Sequence, residues 1–315
     1  MKKDLVSFVT LCDGGFLAFA ITMFESLRVH FASCKYYVLC MDEDASNYLY
    51  SFGPKWIYPI RLKEIETPEL LKAKEERTNR EYCWTLSSHC FEAVRMRCPE
   101  AESITYLDAD MFFLRSPVEL FEELEEEKKS VLITDHHYAP EYDASFRSGK
   151  YCVQYLTMLN NPQGWKVVNE WKDQCLEWCF GRLESGKFGD QMYLDEWPTK
   201  HKDIVYVADP TDRFLAPWNV EMVSKAISPS PPILYHFQGA RYVGQKRIIL
   251  GIDHKIPSSA RPMINEYGKR LSTNIVLIGQ NGLSTTVFPL GRRGPLWYRK
   301  WVRILRRNLV IYEWE

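Results

Sequence analysis

The chain has no long apolar run, since none of its stretches approaches the ~20 apolar residues that a membrane-spanning helix needs. It has no charge bias either: 40 lysine and arginine residues face 41 aspartate and glutamate residues, so no basic character indicates a nucleic-acid partner. The nine cysteines are odd in number and none are spaced as Cys-x-x-Cys. This usage favours a reduced, cytoplasmic protein over a disulfide-stapled secreted one.

Four common active-site signatures are also missing. The P-loop, the dinucleotide-binding G-x-G-x-x-G, the zinc-protease H-E-x-x-H and the serine-hydrolase G-x-S-x-G do not occur. Their absence leaves ATPase, dehydrogenase, metalloprotease and esterase functions without support. What remains is a chain of 315 residues, 46% of them hydrophobic, which suffices for one large domain or two smaller ones.

Predicted strands and helices alternate along the chain. Residues 5–11 predict a buried strand that ends in a glycine turn, and Leu17–His30 has helical spacing. Further strands are predicted over 36–41, 56–62, 103–113, 130–135, 151–159, 204–208 and 233–236, and helices over 45–52, from 68, over 81–97, after 117 and over 163–182. Such alternation predicts an α/β protein with a mainly parallel sheet.

Two aspartates stand at the end of one predicted strand. Apolar residues surround Asp108 and Asp110, which alternation places on one side of the backbone if the strand continues through them. Two ionised carboxylates this close repel each other unless a cation or a proton relieves the repulsion. Carboxylate oxygens suit Mg²⁺ or Mn²⁺, and ligands of open α/β sheets bind at the carboxyl ends of strands. The pair therefore indicates a metal site that could bridge to a diphosphate, the alternative being two solvated turn aspartates.

Two later segments carry further polar side chains. His236 ends an apolar strand, and Gly239 follows it where backbone could approach a phosphate closely. An imidazole is a ligand for Mn²⁺, whereas a lone buried histidine is often only a core residue. Asp190 and Gln191 follow a glycine turn. An acid beside an amide could hold sugar hydroxyls, although Asp190 could equally cap a helix.

Taken in this order, the motifs resemble those of the family 8 retaining glycosyltransferases, which include glycogenin and bacterial lipopolysaccharide galactosyl- and glucosyltransferases. The resemblance covers about residues 5–240 and is carried by Phe8-Val9-Thr10-Leu11, Asp108-Ala109-Asp110, Gly189-Asp190-Gln191 and His236-Phe237-x-Gly239. It implies a GT-A fold, that is, a Rossmann-like, mixed but mostly parallel sheet flanked by helices, in a single domain with a C-terminal helical extension. Other segments resemble uncharacterised bacterial sugar transferases of polysaccharide gene clusters.

The resemblance implies a nucleotide-diphosphate sugar donor, usually UDP-linked, and Mn²⁺ or Mg²⁺. It assigns the metal to Asp108, Asp110 and His236, and it places Asp108 near the donor as well. Asp190 and Gln191 match the catalytic pair near the anomeric carbon. The remaining matched positions would contact the donor: Thr10, Leu11, Cys12, Asp13, Phe16, Arg80, Trp84 and Thr85.

Two departures from the family pattern concern the donor. The family often has Lys-Pro-Trp shortly after His-x-x-Gly, whereas Gly239 is followed here by Arg241 and Lys246. Either one of these two meets the diphosphate in place of the lysine, or the role is absent. Many members carry an asparagine where Cys152 stands in this chain, which leaves Gln154 as a candidate sugar contact.

The chain divides into a transferase domain over 1–250 and a C-terminal extension over 251–315. The domain has a nucleotide-binding half (1–115) and an acceptor and catalytic half (116–250). Between 292 and 307 the extension carries seven basic and no acidic residues, interleaved with aromatic and aliphatic ones, which predicts an amphipathic helix over 292–309. Such a helix suits an anionic membrane surface and a lipid-linked acceptor, or it docks on its own domain. We expect a cytoplasmic protein, peripheral on the inner face of the cell membrane.

The sequence thus predicts a metal-dependent, retaining glycosyltransferase that moves a hexose to a saccharide or lipid-linked acceptor in bacterial surface polysaccharide synthesis. A sugar nucleotidyltransferase, a nucleotide-sugar hydrolase and a non-catalytic sugar-nucleotide-binding protein are the alternatives. Sugar nucleotidyltransferases usually carry a basic phosphate loop, whereas the turn Cys12-Asp13-Gly14-Gly15-Phe16 has no lysine or arginine. His136 and His137 follow a strand, where a polar loop is the favoured interpretation.

Overall fold

A computed structural model of the protein describes residues 5–224, 231–252, 254–288 and 309–315. Thirteen strands lie within these ranges: β1 (Val6–Cys12), β2 (Lys35–Cys40), β3 (Ile57–Arg61), β4 (Ser103–Leu107), β5 (Met111–Phe113), β6 (Val131–Asp135), β7 (Tyr151–Leu159), β8 (Val205–Ala208), β9 (Phe214–Leu215), β10 (Leu234–His236), β11 (Arg241–Tyr242), β12 (Arg247–Ile252) and β13 (Leu309–Glu313). None of the helices in the same ranges is both long and apolar enough to span a bilayer.

Eleven α-helices connect and cover these strands within the described ranges: α1 (Leu17–His30), α2 (Glu43–Ser51), α3 (Pro68–Glu76), α4 (Asn79–Ser87), α5 (Cys90–Arg97), α6 (Val118–Glu126), α7 (Ser145–Ser148), α8 (Pro162–Glu177), α9 (Trp197–Lys200), α10 (Val220–Ser224) and α11 (Arg261–Gln280). Short 3-10 turns join several of them, among them Gly14–Phe16 and Met192–Glu196. Helix α1 has the predicted bounds, and α3 begins after the hydroxyl cap and proline that the sequence predicts, with Thr67 accepting from the Leu70 N–H.

The central sheet has seven strands in the order β3-β2-β1-β4-β7-β6-β8. Strands β3, β2, β1 and β4 run parallel, β7 is antiparallel to both its neighbours, and β8 is parallel to β6. A second sheet, β5-β10-β9, and a third, β11-β12-β13, extend the molecule. The predicted α/β architecture with a mostly parallel sheet is therefore confirmed.

The two faces of the central sheet pack against different helices. Alternate residues of β1 enter opposite cores: Phe8 packs on the side of α1 and α11, whereas Val9 packs on the side of α3, α4, α5 and α8. Because β1 is buried on both faces, its sequence is continuously apolar or small, as in parallel sheets generally. The carboxyl ends of β1 and β4 consequently lie at one edge of the sheet.

Three predicted elements differ from the structure, each for a local reason. The helix predicted over 81–97 divides into α4 and α5, because the hydroxyls of Ser87 and Ser88 donate to carbonyls one turn earlier and compete with the helix ladder. The helix predicted over 163–182 ends at Glu177, where the Arg77 guanidinium occupies the carbonyls of Cys175 and Leu176. The strand predicted over 103–113 divides into β4 and β5, which belong to different sheets.

The C-terminal part is tied to the rest of the molecule. Helix α11 packs on α1, and β13 pairs with β12 in an antiparallel ladder. The boundary suggested at residue 250 therefore falls inside a strand. Most of the amphipathic helix predicted over 292–309 lies outside the described residues, and Leu309 itself begins a strand instead of ending a helix.

Gly268 of α11 lies against β13 so closely that any side chain would collide with it. A Cβ at this position would stand 2.5 Å from the Tyr312 ring, at the root of that side chain. We expect Gly268→Ala to destabilise the protein by about 1–3 kcal/mol, because the ring has to move. Urea unfolding followed by circular dichroism measures the change.

Gly279 of the same helix provides the matched control. A Cβ on this glycine would meet no atom within 4 Å, so Gly279→Ala should stabilise the protein by up to about 1 kcal/mol through helix propensity. Equal effects of the two substitutions would contradict the packing of β13 on α11.

Candidate active site

The Asp-x-Asp segment is a turn between two sheets. Strand β4 ends one residue before Asp108, and β5 begins one residue after Asp110. The condition under which strand alternation would align the two carboxylates is therefore not met, since the strand stops before them. Backbone hydrogen bonds hold the turn on both sides instead: the Asp108 N–H donates to the Gln154 carbonyl at 3.0 Å, and the Asp110 carbonyl accepts from the Phe237 N–H at 2.8 Å.

Strand β10 places the imidazole of His236 beside this turn. Antiparallel pairing sets His236 opposite Met111, the residue after Asp110. The His236 Nε2 atom lies 3.1 Å from Oδ1 of Asp110 and 3.7 Å from Oδ2 of Asp108. One ligand atom from each of the three residues falls within 4.8 Å of the others. Two carboxylate oxygens and an imidazole nitrogen are a donor set that fits Mn²⁺, so the residues present could hold such an ion.

Two neighbours orient these ligands. The Oε1 atom of Gln154 accepts from Nδ1 of His236 at 2.7 Å, so Nε2 is the ring nitrogen that faces the carboxylates. Nε2 donates to the carboxylates when the ring is protonated, and a metal ion would displace that proton. The Tyr106 hydroxyl donates to Oδ1 of Asp108 at 3.0 Å. Gln154 therefore reaches the site, but its carboxamide oxygen is used on the imidazole, so the arrangement does not support the predicted sugar contact through that atom.

Burial and mutual charge set the protonation of this cluster. Burial, together with the nearby Asp110 charge, raises the pKa of Asp108, although the His236 charge opposes the shift. For His236 burial lowers the pKa, but the Asp110 and Asp108 carboxylates outweigh it and the net pKa is well above the usual value. The two carboxylates thus draw a positive charge to the position between them.

A second layer behind His236 contains a histidine that the sequence interpretation placed in a polar loop. His136 is buried, its Nδ1 atom lies 3.0 Å from the Lys150 carbonyl, and its ring packs on Trp218, which in turn contacts the His236 ring edge-on at 5.7 Å. Burial alone would raise the pKa of the Cys152 thiol, but the two imidazoles lower it to about 7. His136 does lie in a loop, directly after β6, but it is buried there beside the candidate site, and its place after a buried strand was the signal.

Asp190 is a buried carboxylate with one side-chain donor. The Ser87 hydroxyl donates to Oδ2 of Asp190 at 2.6 Å, and the Trp171 indole N–H donates to the Asp190 carbonyl at 2.8 Å. Burial raises the pKa of Asp190 to about 7, with a further contribution from the Asp108 charge. The helix-cap alternative is wrong, because Gln191, not Asp190, precedes the next 3-10 turn, and the Gln191 amide donates to the Ser148 carbonyl instead.

The end of β1 lies at the same sheet edge. Asp13 caps the following 3-10 turn by accepting from the Phe16 N–H at 3.0 Å, while the Gly14 N–H donates to a carboxylate oxygen of Asp42 at 2.9 Å. Burial raises the pKa of Asp13, against the lowering effect of the Phe16 N–H. Upstream in β1, Leu11 and Cys12 are buried, as is Thr10, whose hydroxyl has no partner among the described residues.

The remaining residues that were predicted to contact the sugar donor lie on helix α4 and on two turns that follow β10 and β11. Thr85 is fully buried. Its hydroxyl proton is donated to the Glu81 carbonyl, and its oxygen accepts from Arg77, so the hydroxyl is not available to donate to a nucleotide sugar. Arg80 is exposed, with its guanidinium 4.6 Å from the Trp84 ring. The last two positions follow β10 along the chain, both with positive φ: Gly239 and the exposed Lys246.

Two bacterial proteins are similar to this chain along most of its length. The chain is 31% identical to the uncharacterized protein YfnD of Bacillus subtilis strain 168 over 248 residues, which is 76% of this chain and 79% of YfnD. It is 30% identical to the uncharacterized protein YfnF of the same strain over 257 residues, 77% and 84% of the two chains. The chain belongs to the family of these two proteins. No family model matches it.

Solved structures identify the fold. A structure of the galactosyltransferase LgtC in complex with donor and acceptor sugar analogs matches 93% of this chain and 99% of its own, with a TM-score of 0.50 and 14% identity. An active-site mutant of LgtC matches 84% of this chain and 95% of its own, with a TM-score of 0.52 and 12% identity. At such identities the likeness establishes the fold alone. The GT-A fold that the motifs imply is thus confirmed.

The contact between Gln154 and His236 has a consequence for metal binding. We expect Gln154→Leu to weaken Mn²⁺ binding by about 10- to 100-fold, because the imidazole loses the partner that fixes its tautomer. Electron paramagnetic resonance of free Mn²⁺ measures the affinity. Thr157→Val, in the same strand, removes a hydroxyl that bonds to Thr105 and not to His236, and it should leave the affinity unchanged. An unaltered affinity in Gln154→Leu would count against the assigned ligand set.

The raised pKa of Asp190 has a consequence for stability. The folded state holds the Asp190 proton up to pH about 7, whereas the unfolded chain releases it near 3.8, so the carboxyl costs stability increasingly as pH rises through that interval. Asp190→Asn should therefore raise the melting temperature of the metal-free protein at pH 8, and this gain should vanish at pH 4. Calorimetry at both pH values checks the sign, with the exposed Asp203→Asn as control.

Proposed function

We propose that this protein is a metal-dependent glycosyltransferase that moves a hexose from a nucleotide-diphosphate sugar, UDP-linked in the first instance, to a saccharide or lipid-linked acceptor with retention. The observation that carries the proposal is the convergence of Asp108, Asp110 and His236 at the carboxyl edge of a GT-A sheet. This edge is where open α/β sheets bind ligands. The resemblance to family 8 sequences and the LgtC fold support the same function.

The metal site supplies the charge that such a reaction needs. Asp108, Asp110 and His236 would hold Mn²⁺ or Mg²⁺, and the ion would stabilise negative charge on the departing diphosphate. Gln154 keeps Nε2 of His236 available for that role, and Tyr106 keeps Asp108 in place. Because the leaving group is stabilised as an anion, the site needs no strong general acid.

Asp190 and Gln191 would act at the sugar. The bond between the anomeric carbon and the diphosphate oxygen breaks, the acceptor oxygen bonds to the same face of that carbon, and the acceptor proton passes to a diphosphate oxygen. The Asp190 carboxylate, once ionised, would steady the positive charge that develops on the ring. A double displacement with Asp190 as nucleophile is the alternative route to retention.

The turn after β1 would hold the nucleoside and not the phosphates. The backbone N–H groups of Gly14 and Phe16, which a phosphate loop would offer to a phosphate, are used by Asp42 and Asp13. Carboxylates at this turn would repel a phosphate, whereas they can accept hydrogen bonds from ribose hydroxyls. This observation disfavours the nucleotidyltransferase alternative, which requires a phosphate-binding loop here.

The proposed acceptor and the proposed cellular location of the protein rest on the sequence alone. We propose a role in bacterial surface polysaccharide synthesis, with the protein at the inner face of the cell membrane. The basic and aromatic residues over 292–309 would meet the anionic membrane surface and bring the site to a lipid-linked acceptor.

Phosphorus NMR of the reaction products tests the function and separates it from the alternatives. Incubated with Mn²⁺ and a panel of UDP-sugars, the protein should release UDP, because a glycosyltransferase cleaves between sugar and diphosphate. UMP with sugar 1-phosphate would indicate a pyrophosphate hydrolase, and UTP formed on addition of pyrophosphate a nucleotidyltransferase. Proton NMR of the new glycoside should show the same anomeric configuration as that of the sugar in the donor.

Asp110→Ala should reduce UDP release by about 100-fold or more, since it removes a metal ligand. The exposed Asp173→Ala, in α8, is the matched control and should keep full activity. Unchanged UDP release in Asp110→Ala would remove the basis of the proposed function.

A further inference from the structure

Two adjacent aromatic rings with a guanidinium group at each end form a row beside Asp190. The Arg80 guanidinium lies 4.6 Å from the Trp84 ring, the Trp84 and Phe188 rings are 5.9 Å apart, and the Arg147 guanidinium lies 5.9 Å from the Phe188 ring. These four residues, here called the Arg–aromatic ladder, come from α4, from α7 and from the segment before Asp190. Each contact falls within the range of a cation–π or aromatic pair.

The ladder is fixed to the candidate active site at several points. A Cβ on Gly189 would touch the Trp84 ring at 3.4 Å, so the ring rests on the backbone immediately before Asp190. One turn along α4 from Trp84, the Ser87 hydroxyl donates to Asp190. On the other side, the Gln191 amide donates to the carbonyl of Ser148, the residue after Arg147. The ladder therefore begins at the pair proposed to act on the sugar.

The same helix separates an inner from an outer position. Ser87 of α4, whose hydroxyl donates to Asp190, is buried. Trp84, one turn before it, is only half-buried, and Arg80 at the start of the helix is exposed. The ladder thus leads from the buried carboxylates outward to solvent, as an acceptor path would.

Both ladder guanidinium groups lack a carboxylate partner within 4 Å in the part of the chain that the structure describes. Other arginines of the same ranges are paired, for example Arg97 with Glu64, and Arg213 with Glu123. Glu81, the acid nearest Arg80 in sequence, is instead used by the Thr78 and Gly181 N–H groups. Two positive charges over aromatic rings are therefore available to an external anion.

We propose that the Arg–aromatic ladder binds an anionic saccharide, which is the acceptor in the proposed function. The faces of Trp84 and Phe188 suit the apolar face of a pyranose ring, and the planar guanidinium groups of Arg80 and Arg147 suit a carboxylate or phosphate carried by it. In the proposed function the donor diphosphate would be held through the cation at Asp108, Asp110 and His236, so the two arginines remain for the other substrate. Only the assignment of this saccharide as the acceptor rests on the proposed function.

Calorimetric titration in metal-free, nucleotide-free buffer tests the binding without catalysis. Trigalacturonic acid and its methyl ester form a pair that differs only in charge, and maltotriose with and without a 6-phosphate forms a phosphate pair. The protein should bind at least one anionic member tenfold or more tightly than its neutral partner, and less so as salt rises. Equal affinity within both pairs would overturn the proposal.

Arg80→Gln and Arg147→Gln should each abolish most of the preference for the anion. Arg95→Gln is the matched control, because Arg95 also stacks on a tryptophan, 4.1 Å from the Trp165 ring, but on a remote helix, α5. A loss in Arg95→Gln as large as in Arg80→Gln would overturn the proposal, since it would reflect general attraction between charges.

Kinetics with an active donor and acceptor pair then assign the ladder to one substrate. Arg80→Gln should raise the acceptor KM tenfold or more with little change in the donor KM; a rise confined to the donor KM would overturn the assignment and return Arg80 to the donor. The proposed function fails separately, if Asp110→Ala leaves UDP release unchanged. In that case anion-selective binding by the ladder would still identify a saccharide site.

Discussion

The repulsion between two carboxylates in a partly buried turn is the constraint on which the site depends. Asp108 and Asp110 are held close by hydrogen bonds of the turn backbone to Gln154 and Phe237, so they cannot separate to relieve it. A buried charge without a partner is costly, and His236 alone meets both groups among the described residues. The two carboxylates therefore favour a positive charge beside them, which an imidazolium or a divalent cation supplies.

The charge of Asp108 also acts on Asp190. Its carboxyl is buried with one hydroxyl donor, and the Asp108 charge contributes to its raised pKa. A cation at the turn offsets that charge and so lowers the pKa of Asp190 toward ionisation. In the proposed reaction, the residue that steadies positive charge on the sugar would then be ionised to a greater extent when a cation occupies the turn. Cation binding and the ionisation of Asp190 are linked through the charge of Asp108.

The sequence predicted well what local rules determine and less well what tertiary contacts decide. Helix α1 and the cap of α3 follow from spacing and capping residues, and the motif order led to the GT-A fold. The break at Ser87 could not be predicted, since it depends on hydroxyls that bond to the helix and to Asp190, 103 residues away. Gln154 was predicted as a sugar contact because Cys152 replaces an asparagine of the resembled family, whereas its hydrogen bond to His236, 82 residues distant in sequence, was not predicted. Long-range side-chain partners of this kind leave no local pattern.

Charge is distributed over the edge of the sheet in a way that separates the parts of a donor and an acceptor. The turn after β1 is acidic, with Asp13 and Asp42 on its N–H groups, so it accepts hydroxyls and excludes phosphates. In the proposed function, the Asp108–Asp110 turn would hold a cation and, through it, the diphosphate. Guanidinium groups without a carboxylate partner, among residues that the structure describes, lie on the ladder beyond Asp190. An anionic group of a substrate could thus bind either at the proposed cation site or at the Arg–aromatic ladder. Because the donor diphosphate would occupy the cation site, the ladder would select the acceptor.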